Sequence, residues 1–411
     1  MLRIGNRKSL GVPRELVLFG CCLLQGGSLG IVQNSMGVFF QAICSDLGFS
    51  SGGIALYRTI SGLSSCIMLP FVGKILYRTD SRVSMTVCAV LYAGSTMLMG
   101  SFSQLWQWYG TSFIQGLAGA MLLYASAPII LANWYPDKMG FAVGISGSFS
   151  GLMGMVGNMA TGKVVEALGW RIAYMAAGGI SMLMLLPATL FLIRLSPDHT
   201  MVSQPKQKQA PAKLTPKQWL PAFLVAFMST ATMFCVGFSP VIVTFTTSIG
   251  HTAMYGTLLV SITMLSNAVG KILLGRVNDR YGLGVCCMLG TVISVAAFAF
   301  FFASQKLWLN IGGVLYGIGM ALSVVTPPLL VQKFYSNEVY PYVFSVVITV
   351  YTFASAFAPS ALGTIYDLTG SFDNALWLCM GLSALFAAMG FLLKVLCKCK
   401  EFGKISLTVT K

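Results

Sequence analysis

Charged residues are scarce in this chain. Only 9% of its 411 residues are Asp, Glu, Lys or Arg, whereas soluble domains carry about 25%. Hydrophobic residues make up 56% of the sequence, and the mean hydropathy is +0.79. This composition excludes an ordinary soluble enzyme or binding domain and predicts an integral membrane protein.

Long polar stretches are also scarce, and the apolar segments between them are long enough to cross a bilayer, which takes about 20 residues. We predict an all-α integral membrane protein with twelve transmembrane helices in two six-helix bundles. The predicted spans are 16–42, 52–76, 84–102, 106–133, 140–165, 172–194, 219–247, 254–276, 284–303, 307–332, 341–365 and 374–396. The one long polar segment, 195–218, predicts a cytoplasmic linker between an N-terminal bundle (1–194) and a C-terminal bundle (219–398). Residues 399–411 are predicted to form a cytoplasmic tail.

Acidic residues number only 11, against 26 Lys and Arg, which gives a net charge of +15. If there are twelve spans, most of the basic residues fall on one side of the membrane, in loops such as 74–82, 206–217 and 276–280 and at both termini. This bias is typical of cytoplasmic loops. It predicts a multi-pass protein of the plasma (inner) membrane with both termini in the cytoplasm. The positive net charge is therefore explained by the membrane topology and by contact with anionic lipid head groups. No nucleic-acid partner is expected.

No carboxylate lies near the middle of a predicted span, and the two histidines, His199 and His251, fall in predicted loops. Proton relays inside membranes commonly use Asp, Glu or His, so a direct relay is unsupported. Exchange of anions, or entry of a substrate that carries its own proton, would not need one. The eleven cysteines lie mostly within spans and lack the spacing of a zinc or redox pair. We expect no disulfide, no metal and no cofactor.

Three segments recur at an offset of about 200 residues, which marks an internal repeat. Gly73–Asp80 matches Gly275–Gly282, Pro128–Tyr135 matches Pro328–Tyr335, and Gly162–Glu166 matches Gly363–Asp367. In a chain this apolar, two similar halves predict a transporter that rocks around a site between them.

The fifth predicted span carries glycine at intervals of three or four residues: Gly140, Gly144, Gly147, Gly151, Gly154 and Gly157. Such spacing forms a smooth helix face that lets another helix approach closely. Two compatible interpretations follow, tight packing and a sliding surface between the bundles.

Gly275–Gly282 resembles the loop signature of the major facilitator superfamily, which has a glycine, then Asp-Arg, then a second glycine. The resemblance implies a gate in which Gly275 lets two helices approach, Asp279 caps a helix or pairs with a basic residue, and Arg280 binds a carboxylate or free carbonyls. The first-half copy keeps Gly73 and Arg78. It has Tyr77 where the signature has aspartate, so its contact is expected to be weaker, with Asp80 a poor substitute.

Three further segments are similar to the monocarboxylate transporters and their bacterial oxalate–formate relatives: Asn34–Phe40, Asn133–Lys138 and Gly169–Arg171. The resemblance implies alternating-access transport of a small organic anion, a mono- or dicarboxylate, by a monomer acting as exchanger or proton-linked symporter. Lys271 stands where that family commonly has a carboxylate-binding arginine. Asn34 replaces a lysine of the animal members, and Asn267 replaces an aspartate.

Lys271 and Arg58 are the two cations that lie away from the ends of the predicted spans, and a charge there normally faces a cavity or a partner. Alternatively, each side chain could snorkel to the nearest interface. The spans that line the cavity in the superfamily, with span eleven, supply six polar candidates for substrate contact: Asn34, Gln25, Gln115, Tyr124, Tyr316 and Tyr351. Each could instead hydrogen-bond between helices.

A proton-driven exporter of drugs or lipophilic solutes is the alternative function. Drug antiporters of the superfamily usually have an arginine three residues before the Gln-Gly of the fourth helix, where this chain has Ser112. Their fifth-helix Gly-Pro is also missing, because 140–165 contains no proline. A non-transporting sensor with the same fold is disfavoured because the sequence shows no evident signalling segment. A membrane enzyme is disfavoured because Ser-x-x-Lys and His-Glu-x-x-His patterns are missing.

Overall fold

The computed structural model describes residues 13–49, 51–195, 216–336 and 339–398. The predicted tail and most of the predicted linker lie outside these residues. Helices account for nearly all of the described chain, and it contains no β-strand. Ten helical segments are apolar and long enough to cross a membrane. One of them, Met139–Leu192, has 54 residues and is divided by Gly169 (φ 84°, ψ 162°). The last helix adds a shorter apolar segment, Asp373–Met389, so the twelve predicted spans are present.

The first six spans have the following bounds. Span 1 consists of Arg14–Gln25, a π-helical segment Gly26–Gln33, and Met36–Leu47. Span 2 is Ser51–Arg78 and span 3 is Ser81–Met99. Span 4 consists of Leu105–Gly119, a π-helical segment Ala120–Ala125, and Ser126–Trp134. Spans 5 and 6 together form Met139–Pro187, followed by the π-helical segment Ala188–Leu192. The sequence predicted a loop between spans 5 and 6, but only Gly169 interrupts the helix, because glycine adopts positive φ at little cost.

The last six spans are more regular. Span 7 consists of Pro216–Val236, a 3₁₀ turn Ser239–Val241, and Ile242–Ser248. Span 8 is Ala253–Tyr281 and span 9 is Leu283–Phe301. Span 10 is Lys306–Phe334, span 11 is Tyr340–Thr369 and span 12 is Asp373–Lys398.

Large apolar side chains point outward as well as inward. Leu183 of span 6 and Val292 of span 9 are 76% and 65% exposed, which in water would be an aggregation hazard. In a bilayer these side chains contact lipid. The spans that carry them therefore lie on the outside of each bundle.

The two halves meet at two contacts. Span 5 packs against span 8, and span 2 packs against span 11. The closest approaches lie toward the end of the molecule that carries Arg78, Arg82, Arg276 and Arg280, which we call the basic end. The bundles are thus packed together at the basic end.

Candidate functional site

Asp279 links the two bundles at the basic end. Its carboxylate accepts hydrogen bonds from the backbone N–H groups of Gly140 (3.1 Å) and Phe141 (2.8 Å), at the start of span 5. These are orphan donors at a helix N-terminus, where a negative charge is also favoured by the helix dipole. Arg276 adds a contact across the same interface, with its guanidinium carbon 5.0 Å from the centre of the Phe141 ring. Asp279 therefore contacts the other half of the molecule, as the gating hypothesis requires.

Two glycines at matching repeat positions bring backbones together at this end. A Cβ on Gly275 would overlap the carbonyl oxygen of Gly140 in the other bundle, and a Cβ on Gly73 would lie 2.5 Å from the carbonyl oxygen of Pro341. The Gly73 N–H also donates to Ser345 Oγ (3.1 Å). The contact of span 8 with span 5 is thus related by the repeat to the contact of span 2 with span 11. Neither contact has room for a side chain at its glycine.

The other residues of the first-half loop do not reproduce the Asp279 contact. The Tyr77 hydroxyl accepts a hydrogen bond from Asn133 Nδ2 (2.9 Å) within the same bundle. Asp80 caps span 3 by accepting from the Arg82 N–H (2.9 Å). Arg78 is exposed. Arg280 lies over the ring of its neighbour Tyr281, 5.3 Å from the ring centre. At this contact the first half thus packs through Gly73, and in the described chain neither Tyr77 nor Asp80 bonds to a helix end of the other bundle.

Lys271 lies between the bundles and is only 7% exposed. Its ammonium donates to the carbonyl oxygen of Gly147 (3.0 Å) and lies 3.4 Å from Ser150 Oγ, both on span 5. The one ion pair in the described parts of the chain joins Arg14 and Glu15, so Lys271 has no acidic partner there. Buried cations are normally paired with an opposite charge. Lys271 is thus a buried cation held by neutral oxygens.

Small residues of span 5 allow this arrangement. Gly144 leaves room for the Lys271 backbone, and a Cβ on Gly151 would lie 3.1 Å from the Ala268 side chain. Ser148 Oγ donates to the Ala268 carbonyl (2.5 Å). On the other side of span 5, Asn34 Nδ2 lies 3.4 Å from the Ser150 carbonyl oxygen. Span 5 therefore connects Lys271 of one half to Asn34 of the other.

Arg58 is exposed, unlike Lys271. It lies on span 2, toward the end opposite to Arg78. Tyr351 of span 11 is 4% exposed, and span 11 contacts the π-helical segment of span 4 that carries Tyr124. Tyr124 therefore belongs to a segment of span 4 that packs against the other half.

The remaining polar candidates are buried within one bundle or the other. Gln25 Nε2 donates to the Leu123 carbonyl (3.1 Å), and Gln115 Nε2 donates to Thr96 Oγ1 (2.9 Å). Tyr316 donates to the Cys235 carbonyl (2.8 Å) and packs against Phe238 and Phe298. Gln25 and Tyr316 thus have structural partners, and their assignment as substrate contacts stays a prediction without support from this geometry.

Comparison with known proteins agrees with this architecture. The sequence profile described as Major Facilitator Superfamily matches residues 21–359, and a second match covers 222–396. The chain belongs to the Major Facilitator Superfamily. It is therefore a multi-pass membrane protein of a superfamily of secondary transporters, which are generally not enzymes. The superfamily predicted from Gly275–Gly282 is confirmed.

Individual superfamily relatives are distant. The probable transporter MCH2 of Saccharomyces cerevisiae is 25% identical over 319 residues, which cover 75% of this chain and 66% of the yeast protein. The multi-drug resistance efflux pump PmrA homolog of Lactococcus lactis is 23% identical over 329 residues, 77% of this chain and 79% of that protein. The crystal structure of FucP in the outward conformation aligns with a TM-score of 0.70 at 15% identity, over 93% of this chain and 98% of FucP. The xylose symporter XylE aligns with a TM-score of 0.67 at 14% identity, over 92% and 94%. These structures show the superfamily fold alone.

Sequence reasoning missed several residues that complete the site. Gly147 and Ser150 supply the oxygens that hold Lys271, and Arg276 reaches the Phe141 ring across the interface. One signal was available, because Ser150 lies three residues after Gly147 on the glycine-rich face of span 5. Lys271 is thus bound across the interface between the two halves, where span 8 packs against span 5.

Proposed function

We propose that this protein carries a small organic anion, a mono- or dicarboxylate, across the membrane by alternating access. The observation that supports the proposal is Lys271, a buried cation between the bundles with no carboxylate partner in the described chain. A carboxylate substrate would supply the missing charge. Lysine would bind it as a point charge, without the fixed fork of an arginine.

The oxygens now bonded to Lys271 suggest how binding is coupled to movement. The Gly147 carbonyl belongs to the opposite bundle, so the ammonium contributes to closure at the basic end. A substrate carboxylate is a stronger acceptor than a neutral carbonyl. Binding of the carboxylate would replace the Gly147 carbonyl as the partner of Lys271 and would weaken the contact between spans 5 and 8.

We place the basic end on the cytoplasmic side, following the positive-inside bias. The state described here is then closed to the cytoplasm, and its site receives substrate from the outside. The exposed Arg58 lies in the outer half of span 2 on this orientation and would attract anions toward the site.

The decisive experiment is counterflow in liposomes that contain the purified protein. A panel of labelled mono- and dicarboxylates is tested beside neutral sugars and lipophilic cations. Exchange of a carboxylate, without exchange of the cations, is the expected result. Exchange of lipophilic solutes without any carboxylate would overturn the proposal.

That contrary result would favour a proton-driven exporter of drugs or lipophilic solutes. The names of two relatives support this second candidate: the PmrA homolog described above and the multidrug resistance protein MdtG of Klebsiella pneumoniae, 23% identical over 288 residues. The distribution of acidic residues opposes it, because none lies near the middle of a span to bind a cation or relay a proton.

Arg58→Gln is expected to raise the KM for the transported anion about threefold at low ionic strength, with little change in kcat. An exposed charge acts mainly by steering, and salt screens it. The measurement is initial uptake in low salt and in about 0.5 M salt, where variant and wild type should converge. A salt-independent loss would instead mean that Arg58 contacts the bound substrate.

A further inference from the structure

Two buried hydroxyls occupy matching positions in the internal repeat. Ser126 of span 4 and Thr326 of span 10 each lie two residues before the proline that opens a repeated segment, Pro128–Tyr135 or Pro328–Tyr335. The two residues are 0% and 1% exposed, and neither hydroxyl has a hydrogen-bond partner in the described chain. A buried polar group without a partner is unfavourable and calls for an explanation. Because it is found in both copies, the explanation should lie in a property that the two halves share.

The prolines leave carbonyl groups without donors at the same two places. Proline has no backbone N–H, so it cannot donate to the carbonyl four residues earlier in a helix. Pro128 thus leaves the Tyr124 carbonyl without its usual donor. Pro328 does the same to the Val324 carbonyl. Serine and threonine side chains or water commonly pair with such carbonyls in membrane helices, but the two neighbouring hydroxyls have no partner among the residues that the structure describes. Each place therefore combines a hydroxyl donor and a carbonyl acceptor, which water can satisfy together.

Both hydroxyls lie on helical segments that are enclosed on every side. Residues 325–331 of span 10 are all buried, and residues 125–132 of span 4 are buried apart from Pro128. A helical turn has 3.6 residues, so two turns of buried residues leave no face toward lipid. A helix that is apolar and buried all round lies in the interior of a protein. The basic-end halves of spans 4 and 10 therefore lie in the centre of the molecule.

The two segments belong to one apolar core that is shared by both halves. This core contains Ile129 of span 4 together with Val325 and Leu329 of span 10. Span 10 also approaches the other half directly, since a Cβ on Gly147 of span 5 would lie 3.7 Å from Val324. Opening at the basic end separates the two halves, so it must divide this core and admit water to spans 4 and 10.

We infer that the hydroxyls of Ser126 and Thr326 line the pathway to the basic end and favour its opening. In the closed state described here, each hydroxyl is buried without a partner, which is unfavourable. In the open state, water reaches both hydroxyls and supplies the missing hydrogen bonds. The pair thus raises the free energy of the closed state relative to the open one and shifts the population toward the open state. This role does not depend on which solute the protein carries.

The test is hydrogen–deuterium exchange of the purified protein with Ser126→Ala and Thr326→Val. Each change removes the unpaired hydroxyl and keeps most of the side-chain volume, so it should stabilise the closed state. The N–H groups of Gly140 and Phe141 are bonded to Asp279 in this state and exchange when the basic end opens. Peptides from the start of span 5 should therefore exchange about fivefold more slowly in each variant, as expected from the smaller costs of burying an unpaired group.

Three further variants make this result specific. The double variant Ser126→Ala/Thr326→Val should exchange about 25-fold more slowly, because positions in different halves are expected to act independently. Thr326→Ser keeps the hydroxyl and should exchange about as fast as the wild type, which separates the hydroxyl from the methyl group. Ser181→Ala removes another buried hydroxyl without a partner in the described chain, on span 6. It should leave the exchange of span 5 unchanged.

Chemical modification measures hydration directly and keeps the test decisive if a variant fails to fold. Ser126→Cys and Thr326→Cys should react with a small, water-soluble methanethiosulfonate, whereas Ser181→Cys should not. Mass spectrometry of the peptides that contain these positions separates their modification from that of the native cysteines.

The outcomes separate this inference from the proposed function. Unchanged or faster exchange in Ser126→Ala or in Thr326→Val would overturn the inference, and so would absence of modification at both cysteine positions. Neither measurement uses a transported solute. Failure of every carboxylate in the counterflow assay would therefore overturn the proposed function and leave this inference standing.

Discussion

Replacing Lys271 by glutamine is expected to reduce carboxylate exchange about a hundredfold while the protein remains folded. A hundredfold corresponds to about 2.7 kcal/mol, within the range for hydrogen bonds to charged groups. Glutamine can still donate to the Gly147 carbonyl and to Ser150, now bonded to the ammonium. It removes the charge and shortens the side chain by one bond, so the contact between spans 5 and 8 should largely survive while the anion loses its partner. The measurement is initial counterflow rate in liposomes, with size-exclusion elution and thermal unfolding as the checks of folding.

Two controls make this result specific. Lys163→Gln removes an exposed lysine of span 5 and should leave exchange unchanged, which excludes a general effect of net charge. Lys271→Arg keeps the charge and offers two parallel donors, so it should retain much of the activity. Wild-type exchange by Lys271→Gln would show that Lys271 acts only as a structural contact, and the anion hypothesis would then fail.

Much of this architecture could be predicted because it follows from simple physical rules. A bilayer of fixed thickness requires apolar helices of about 20 residues, so the twelve spans could be counted from hydropathy. The repeat placed Gly73 and Gly275 at matching positions, and the structure finds both at contacts between the bundles. Asp279 could be expected at a helix N-terminus because carboxylates are stabilised there. These rules act within a few residues or within one repeat.

The remainder depends on pairs of atoms that the sequence does not bring together. The partners of Lys271 are a backbone carbonyl and a serine 124 and 121 residues away, and a carbonyl has no sequence signature. The π-helical segments in spans 1 and 4 contain no proline that would have predicted an irregularity there. Gln25 and Gln115 are the same residue type at similar depth. Only the structure shows that Gln25 has its partner and that Gln115 leaves an oxygen unused.

Gly275→Ala is expected to reduce transport more than tenfold by destabilising the state closed at the basic end. The new Cβ would overlap the Gly140 carbonyl oxygen, and backbone atoms on both sides leave no flexible side chain to move aside. Close-packed helices respond to one extra carbon by shifting apart, at a typical cost of 1–3 kcal/mol. A shift of about 1.4 kcal/mol changes the ratio of two conformations tenfold, so the population should move toward the state open at this end.

Hydrogen–deuterium exchange can measure that shift without introducing labels. The N–H groups of Gly140 and Phe141 are protected here by Asp279, so peptides from the start of span 5 should exchange faster in Gly275→Ala. Gly73→Ala should have the same effect at the start of span 11, because its Cβ would lie 2.5 Å from the Pro341 carbonyl. Gly162→Ala is the matched control, since a Cβ there meets nothing within 4 Å, and it should change neither transport nor exchange. If peptides from the start of span 5 exchanged no faster in Gly275→Ala than in the wild type, closure could not depend on the glycine contact. The two halves would then have to be held at the basic end by other contacts, such as those of Asp279 and Arg276.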